Sequence, residues 1–232
     1  MKYNNICVIC MRGGSRGIKN KNLLKINKKD LMSYTINQAK KSKIFSKIII
    51  SSDSKKILYK AKKYKLDHYI LRAKKLANNK ISKIPAIINA VKISEKKFNT
   101  KFDYIFDLDA TSPLRKVSDI INAFKKITKQ KKENLISVSE ARRNPYFNMV
   151  EYNKKGQLKL CKKHKHHITS RQMAPKVYDM NASIYIWKRN YLFIKKKSID
   201  SSTSIYFMPQ KRSYDIDNKT DLEIVKKMFL IN

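Results

Sequence analysis

Ile6-Cys7-Val8-Ile9-Cys10-Met11-Arg12-Gly13-Gly14-Ser15-Arg16-Gly17-Ile18-Lys19-Asn20-Lys21-Asn22 is the stretch from which the fold is read. Its first half is apolar at every position, so it predicts a parallel strand buried on both faces. Its second half is a loop that holds three of the chain's four glycines. Gly13, Gly14 and Gly17 can take positive φ and let a ligand approach the backbone closely. Backbone N–H groups in such a turn form a concavity for anions. Arg12, Arg16, Lys19 and Lys21 add positive charge, and arginine can grip a phosphate with two hydrogen bonds. A polyphosphate held at the C-terminal end of the first strand is the chemistry expected. The Walker spacing is absent, and so is Gly-x-Gly-x-x-Gly.

Outward from that loop, apolar runs alternate with helical patterns. Lys47–Asp53, Leu66–Leu71, Asp103–Leu108 and Asn134–Ser139 read as further strands. Leu31–Lys43, Lys55–Tyr64, Ile84–Lys97 and Val117–Thr128 read as helices between them. Asp53 or Ser54 is expected to cap the second helix, and Ser118 or Pro113 to start the fourth. Asn22–Asp30 reads as a polar connection. This rhythm predicts an α/β fold with a doubly wound, mostly parallel, Rossmann-like sheet. After Glu140 the rhythm breaks into a hairpin around Lys154-Lys155-Gly156 and a loop rich in lysine and histidine. Residues 1–232 therefore read as a single domain with an insertion at about 140–180. Ser183–Trp187 and Ser204–Met208 are strands, and Leu222–Phe229 is a closing helix.

The 232 residues carry a net charge of +37, with lysine spread over nearly every segment. Only nine of the 54 basic residues are arginine. A nucleic-acid binder concentrates its charge on one face, so the excess reads as compositional, and no specific nucleic-acid partner is expected. No apolar run reaches the roughly 18 residues of a membrane span. No signal-peptide pattern opens the chain, which makes a cytoplasmic location the default. Cys7, Cys10 and Cys161 are odd in number and suggest no disulfide framework; Cys7 and Cys10 read as buried core cysteines. His164, His166 and His167 sit in a lysine-rich loop and read as solvated.

In such sheets ligands lie outside the carboxyl ends of the strands. Three further stretches stand there or near it: Asp107-Leu108-Asp109-Ala110-Thr111-Ser112-Pro113-Leu114-Arg115, Tyr178-Asp179-Met180-Asn181-Ala182-Ser183-Ile184-Tyr185 and Ser213-Tyr214-Asp215-Ile216-Asp217. Asp215 and Asp217, at i and i+2 on an extended segment, point the same way. Two adjacent carboxylates are costly unless a cation sits between them. Mg²⁺ takes oxygen ligands and bridges carboxylates to phosphates, so these two are the expected metal ligands, with Mn²⁺ possible. Asp107-x-Asp109 has the same spacing and also mimics the Asp-x-Asp of glycosyltransferases.

Arg-Gly-Gly-Ser-Arg-Gly-Ile-x-x-Lys-Asn resembles the N-terminal motif of the CMP-sialate synthetases, or acylneuraminate cytidylyltransferases, a group that includes CMP-legionaminate-type enzymes. Thr111-to-Arg115 resembles their Thr-Ser-Pro-Leu-Arg. Ser213-to-Asp217 resembles Ser-Ile-Asp-Ile-Asp, Asn181-to-Tyr185 resembles Asn-Gly-Ala-Ile-Tyr, and Ser170-Arg171-Gln172 resembles Pro-Arg-Gln. Asp109 stands where most members carry glutamine, and Asn79 and Lys80 replace Asp-Thr. The resemblance covers about 200 residues in the family's order.

It implies CTP-dependent activation of a nonulosonic, sialic-acid-like sugar acid to its CMP-sugar, with release of pyrophosphate. It also implies catalytic roles for Arg12, Lys21 and Asp217. Nucleotide contacts would come from Arg12, Gly13, Gly14, Ser15, Lys21, Asn22, Arg72 and Ser82. Sugar contacts would come from Asp109, Thr111, Ser112, Arg171 and Asn181. The family is dimeric, which places the insertion at a homodimer contact. The 3-deoxy-manno-octulosonate cytidylyltransferases are the runner-up, and a basic nucleic-acid-binding protein is the rival from another class.

Overall fold

The computed structural model describes residues 3–15, 17–78 and 81–231. Arg16, Asn79 and Lys80 lie outside the described residues. The first strand, β1 (Asn5–Met11), is buried at all seven positions. Its odd and even side chains feed two different cores, as a strand of period two covered on both faces must. Cys7, Ile9 and Met11 join one apolar cluster, and Ile6, Val8 and Cys10 join the other.

The next segment is more structured than the expected polar connection. A short hairpin, β2 (Lys25–Ile26) with β3 (Lys29–Asp30), turns through Asn27 and Lys28, both at positive φ. It buries Ile26 completely against Leu31, Ile216 and Val225. One isoleucine among lysines carries too little periodicity to reveal this.

Then follow α1 (Leu31–Ser42), β4 (Lys47–Ser52), α2 (Lys55–Ala61), β5 (His68–Leu71), α3 (Ile84–Phe98), β6 (Tyr104–Leu108), α4 (Val117–Gln130) and β7 (Asn134–Glu140). Ser54 caps α2 by accepting from the Ile57 amide. Helix α4 starts on neither Ser118 nor Pro113. Its first turn is closed by Asp119, which accepts from the Lys116 amide at 2.8 Å. The Asp119 carboxylate also takes two bonds from Arg212, at 3.0 and 2.7 Å.

The insertion contributes β8 (Val150–Tyr152) and β9 (Leu158–Leu160), a hairpin whose strand residues are all exposed. It is followed by β10 (Tyr178–Lys188), α5 (Arg189–Lys195), β11 (Ser204–Phe207) and α6 (Lys219–Ile231). Strand β10 begins before the expected Ser183, because Tyr178–Met180 pair with β7. The segment outside the central sheet therefore runs from 141 to 177.

Among the described residues the central sheet has seven strands in the order β11-β7-β10-β6-β1-β4-β5. All neighbours are parallel except β10, which runs antiparallel to both β6 and β7. Helices α1, α2 and α4 cover one face, and α3 and α5 the other. The fold is thus the expected doubly wound α/β sheet, with one strand reversed. Its switch point lies beside β1, where the connections turn from β4 to β6, and such a point opens a crevice at the strands' carboxyl ends.

Candidate active site at the carboxyl ends of the strands

A cleft of about 250 Å³ opens at that crevice. Arg12, Ser15, Lys21 and Asn22 reach it from the loop after β1, and Arg72 and Ser82 from the stretch between β5 and α3. Asp109 and Thr111 follow β6, while Asp215 and Asp217 arrive from the segment before α6. Four stretches remote in sequence converge on one opening.

The β1 loop is held from below. Asp53 Oδ1 accepts the Gly13 amide at 3.0 Å and lies 3.8 Å from Arg72 Nη2. Asn22 Nδ2 donates to the Arg12 carbonyl at 3.1 Å. Positive φ is not what its glycines supply: of the chain's glycines only Gly156 has it. What Gly13 and Gly17 supply is room. A Cβ on Gly13 would come within 2.9 Å of Ser54 Cβ, and one on Gly17 within 1.9 Å of the Asp217 carbonyl oxygen. Gly14 has open space around it.

The Gly17 contact shows how the last motif docks. Ile216 is fully buried, and its amide donates to the Thr111 carbonyl at 3.0 Å. With Ile216 pointing into the core, Asp215 and Asp217 both face the cleft, as an i, i+2 pair should. Asp217 remains largely exposed and accepts from Lys21 Nζ at 2.8 Å. Asp215 is more enclosed, and its Oδ1 is buried without a hydrogen-bond partner. Burial, reinforced by the nearby Asp109 charge, pushes the Asp215 carboxyl up to about 6.

Asp107 and Asp109 also share a side, and Lys83 closes the gap between them. Its Nζ lies 2.8 Å from Asp107 Oδ2 and 2.9 Å from Asp109 Oδ2. Asp109 Oδ1 accepts from both the amide and the hydroxyl of Thr111. Burial would raise the Asp109 carboxyl, but Lys83 and Thr111 outweigh it and hold it below the usual carboxylate range. Asp107 has less help, and burial leaves it above that range. Burial also opposes the Lys83 ammonium, but the two aspartates overcome this and hold it protonated. An ammonium thus sits between the two carboxylates of the Asp-x-Asp pair.

Three expected sugar contacts are not brought to the cleft walls. Ser112 is fully buried. Asn181 is buried at the irregularity in β10, accepting from Ser137 Oγ and donating to Ser213 Oγ. Arg171 lines a separate cavity of about 470 Å³ near the insertion and donates to the Arg142 carbonyl. Arg115 is buried too, and ties β6 to its surroundings through Ser183 and Thr35. Sequence reasoning missed Lys83, one lysine among many, and the supporting role of Asp53.

A sequence profile of the family described as cytidylyltransferase matches residues 6–230. The chain belongs to the cytidylyltransferase family. It is a nucleotidyltransferase, and its similarities lie with the CMP-sialate-type synthetases. It is 44% identical, over 98% of its length and 94% of the relative's, to the CMP-N,N'-diacetyllegionaminic acid synthase of Campylobacter jejuni. It is 43% identical, over 97% of its length and 94% of the relative's, to the post-translational flagellin modification protein B of Campylobacter coli. At 28% identity, over 98% and 97% of the two chains, it resembles a pseudaminic acid cytidylyltransferase of Campylobacter jejuni. In fold it matches a solved CMP:2-keto-3-deoxy-manno-octonic acid synthetase complexed with CTP, with a TM-score of 0.72 over 98% and 99% of the two chains at 12% identity.

Proposed function

We propose that this cytidylyltransferase joins CTP to a nonulosonic sugar acid, yielding the CMP-sugar and pyrophosphate. The observation that carries this reading is the convergence of Arg12, Lys21, Asp215 and Asp217 on one cleft, in a chain 44% identical to a CMP-N,N'-diacetyllegionaminic acid synthase. The relatives' names favour a sialic-acid-like acid over an octulosonate, since the octonic acid synthetase shares only the fold.

In this reading the sugar's anomeric hydroxyl attacks the α-phosphate of CTP. Negative charge builds on that phosphate and on the departing pyrophosphate, so positioning and electrostatic stabilisation do most of the work. Arg12, Ser15 and Lys21 hold the triphosphate, and Gly13 lets the loop that carries them close onto Ser54. Asn22, Arg72 and Ser82 hold the nucleoside, and Asp109 and Thr111 border the sugar.

Asp215 and Asp217 are the residues that would hold Mg²⁺ or Mn²⁺. The buried Asp215 Oδ1 fits a cation, since that oxygen accepts no hydrogen bond from the protein. A bound divalent ion would offset phosphate charge. Lys21 fills part of that role on Asp217 in the protein alone.

A homodimer fits the exposed apolar side chains of the hairpin, Val150, Tyr152, Leu158 and Leu160. A cytoplasmic setting fits cysteines that are all unpaired. No described helix is long and apolar enough to cross a membrane. The test is pyrophosphate release from CTP and Mg²⁺ with a panel of nonulosonic acids and 3-deoxy-manno-octulosonate. Turnover confined to nonulosonic acids is expected. Turnover of the octulosonate alone, or of no acid, would overturn the reading.

A further inference from the structure

Strand β10 pairs Met180 with Val138 and Tyr185 with Ile136, so of β7 only Ser137 stands opposite residues 181–184. The excess chain is taken up in a bulge, with Ala182 at φ 52°. A β-bulge beside an active site re-aims a side chain. This one turns Asn181, 6% exposed, toward the segment that leads to Asp215 and Asp217. A run of hydrogen bonds fixes which way its amide faces. Ser137 Oγ accepts from the Ile184 amide at 2.8 Å, and its hydroxyl donates to Asn181 Oδ1 at 2.6 Å. The Ser183 amide also donates to that oxygen, at 3.3 Å. With two donors on Oδ1, Nδ2 is turned to Ser213 Oγ at 3.0 Å. The Ser213 hydroxyl donates onward to the Pro209 carbonyl at 3.0 Å. The bonds all run in one direction, from the sheet into the segment before α6, and bonds in such a run polarise and strengthen one another. Ser213 stands two residues before Asp215. Asn181 and Ser213 support the cleft from behind, whereas Asp215 and Asp217 line it.

We propose that Asn181 is a positioning residue for the metal. Through Ser213 it sets where the Asp215–Asp217 segment stands, and it does so without touching the sugar. This inference rests on the metal role proposed above for the two aspartates and goes on to name what holds them in place.

Calorimetry of CTP binding, with and without Mn²⁺ and with no sugar acid present, tests this. In the natural chain Mn²⁺ should tighten CTP. Asn181→Ala and Ser213→Ala should each lose about 3- to 10-fold of that tightening, the size expected for one hydrogen bond, while metal-free CTP affinity stays within about twofold. The double variant should lose no more than the larger single loss, because both substitutions cut the same run of bonds. A merely structural role would lower the melting temperature and leave the tightening by Mn²⁺ intact, which would overturn the inference. Additive losses in the double variant would overturn it as well. So would a raised KM for the acid in Asn181→Ala with the Mn²⁺ effect unchanged, the mark of direct sugar contact. Ser213→Ala decides the matter even if Asn181→Ala fails to fold. If Mn²⁺ does not tighten CTP in the natural chain, the metal assignment falls and this inference with it. Failure of every acid in the pyrophosphate assay would instead overturn the function reading alone.

Discussion

Lys21 Nζ lies 2.8 Å from Asp217 Oδ1, so two residues 196 positions apart are joined across the mouth of the cleft. The Asp217 side chain is 74% exposed, and an ion pair that open to solvent contributes little to stability. Its importance is that both partners meet where phosphate and metal would lie. Lys21→Ala and Asp217→Asn should therefore shift the melting temperature only slightly. Each should cut turnover by an amount equivalent to about 2–4 kcal/mol, as for loss of a main electrostatic stabiliser. Pyrophosphate release and a thermal melt on the same samples check this. Near-native turnover in both variants would place phosphate and metal elsewhere.

Asp215 should couple function against stability. Its carboxyl is raised from 3.8 to about 6, so the folded state binds more protons than the unfolded state between those values. Stability therefore falls as pH rises through that window, and the full penalty, no more than about 3 kcal/mol, persists above it. Without ligand, Asp215→Asn should be more stable than the natural chain at pH 7.5, with the difference vanishing near pH 4. The same variant should lose most of its turnover and its response to added Mg²⁺. Melting curves across pH, with and without CTP and Mg²⁺, measure both effects. A variant less stable than the natural chain at pH 7.5 would contradict the raised carboxyl.

Gly17 and Gly14 should separate sharply although they stand three positions apart. A methyl group on Gly17 would have to displace the Asp217 carbonyl, which is backbone and cannot swing aside. Gly14 has nothing within 4 Å of the position its Cβ would take. Gly17→Ala should lower kcat at least about tenfold by shifting Asp217, the aspartate proposed to hold the metal, since small misplacements cost catalysis heavily. Gly14→Ala should stay close to native turnover. Equal effects in the two variants would show that the close approach to Asp217 does not matter.

The shortage of glycine has a price at the helix ends. Lys43, Lys65, Lys131 and Lys196 each stand in the left-handed region at a helix C-terminus, where glycine is commonly found. At the end of α4, Lys131 has φ 52° while its amide is bonded back to Ile127 and Thr128. Lys131→Gly should stabilise the chain by about 0.5–1 kcal/mol, the left-handed strain relieved less the added freedom of the unfolded glycine. Chemical denaturation with unchanged pyrophosphate release would verify it.

Sequence by itself determined the alternation of strands and helices, because β1, β4, β6 and β7 are apolar enough on both faces to require covering layers. It also pointed Arg12, Lys21, Thr111 and the Asp215–Asp217 pair to one end of the sheet, where they line one cleft, because segments that follow parallel strands share that end. What it could not determine is anything set by contacts between distant segments. The reversal of β10 and the burial of Asn181 follow from strand pairing across more than 40 residues. The position of Lys83 depends on how the start of α3 sits over β6, so nothing local distinguishes it from the other lysines. How readily each aspartate ionises is likewise a tertiary matter. Asp109 and Asp215 are the same residue type, but one faces an ammonium and two Thr111 donors while the other is buried beside it. Local propensity and period reach only a few residues along the chain, whereas desolvation and charge pairing are decided by what folding brings within a few ångströms.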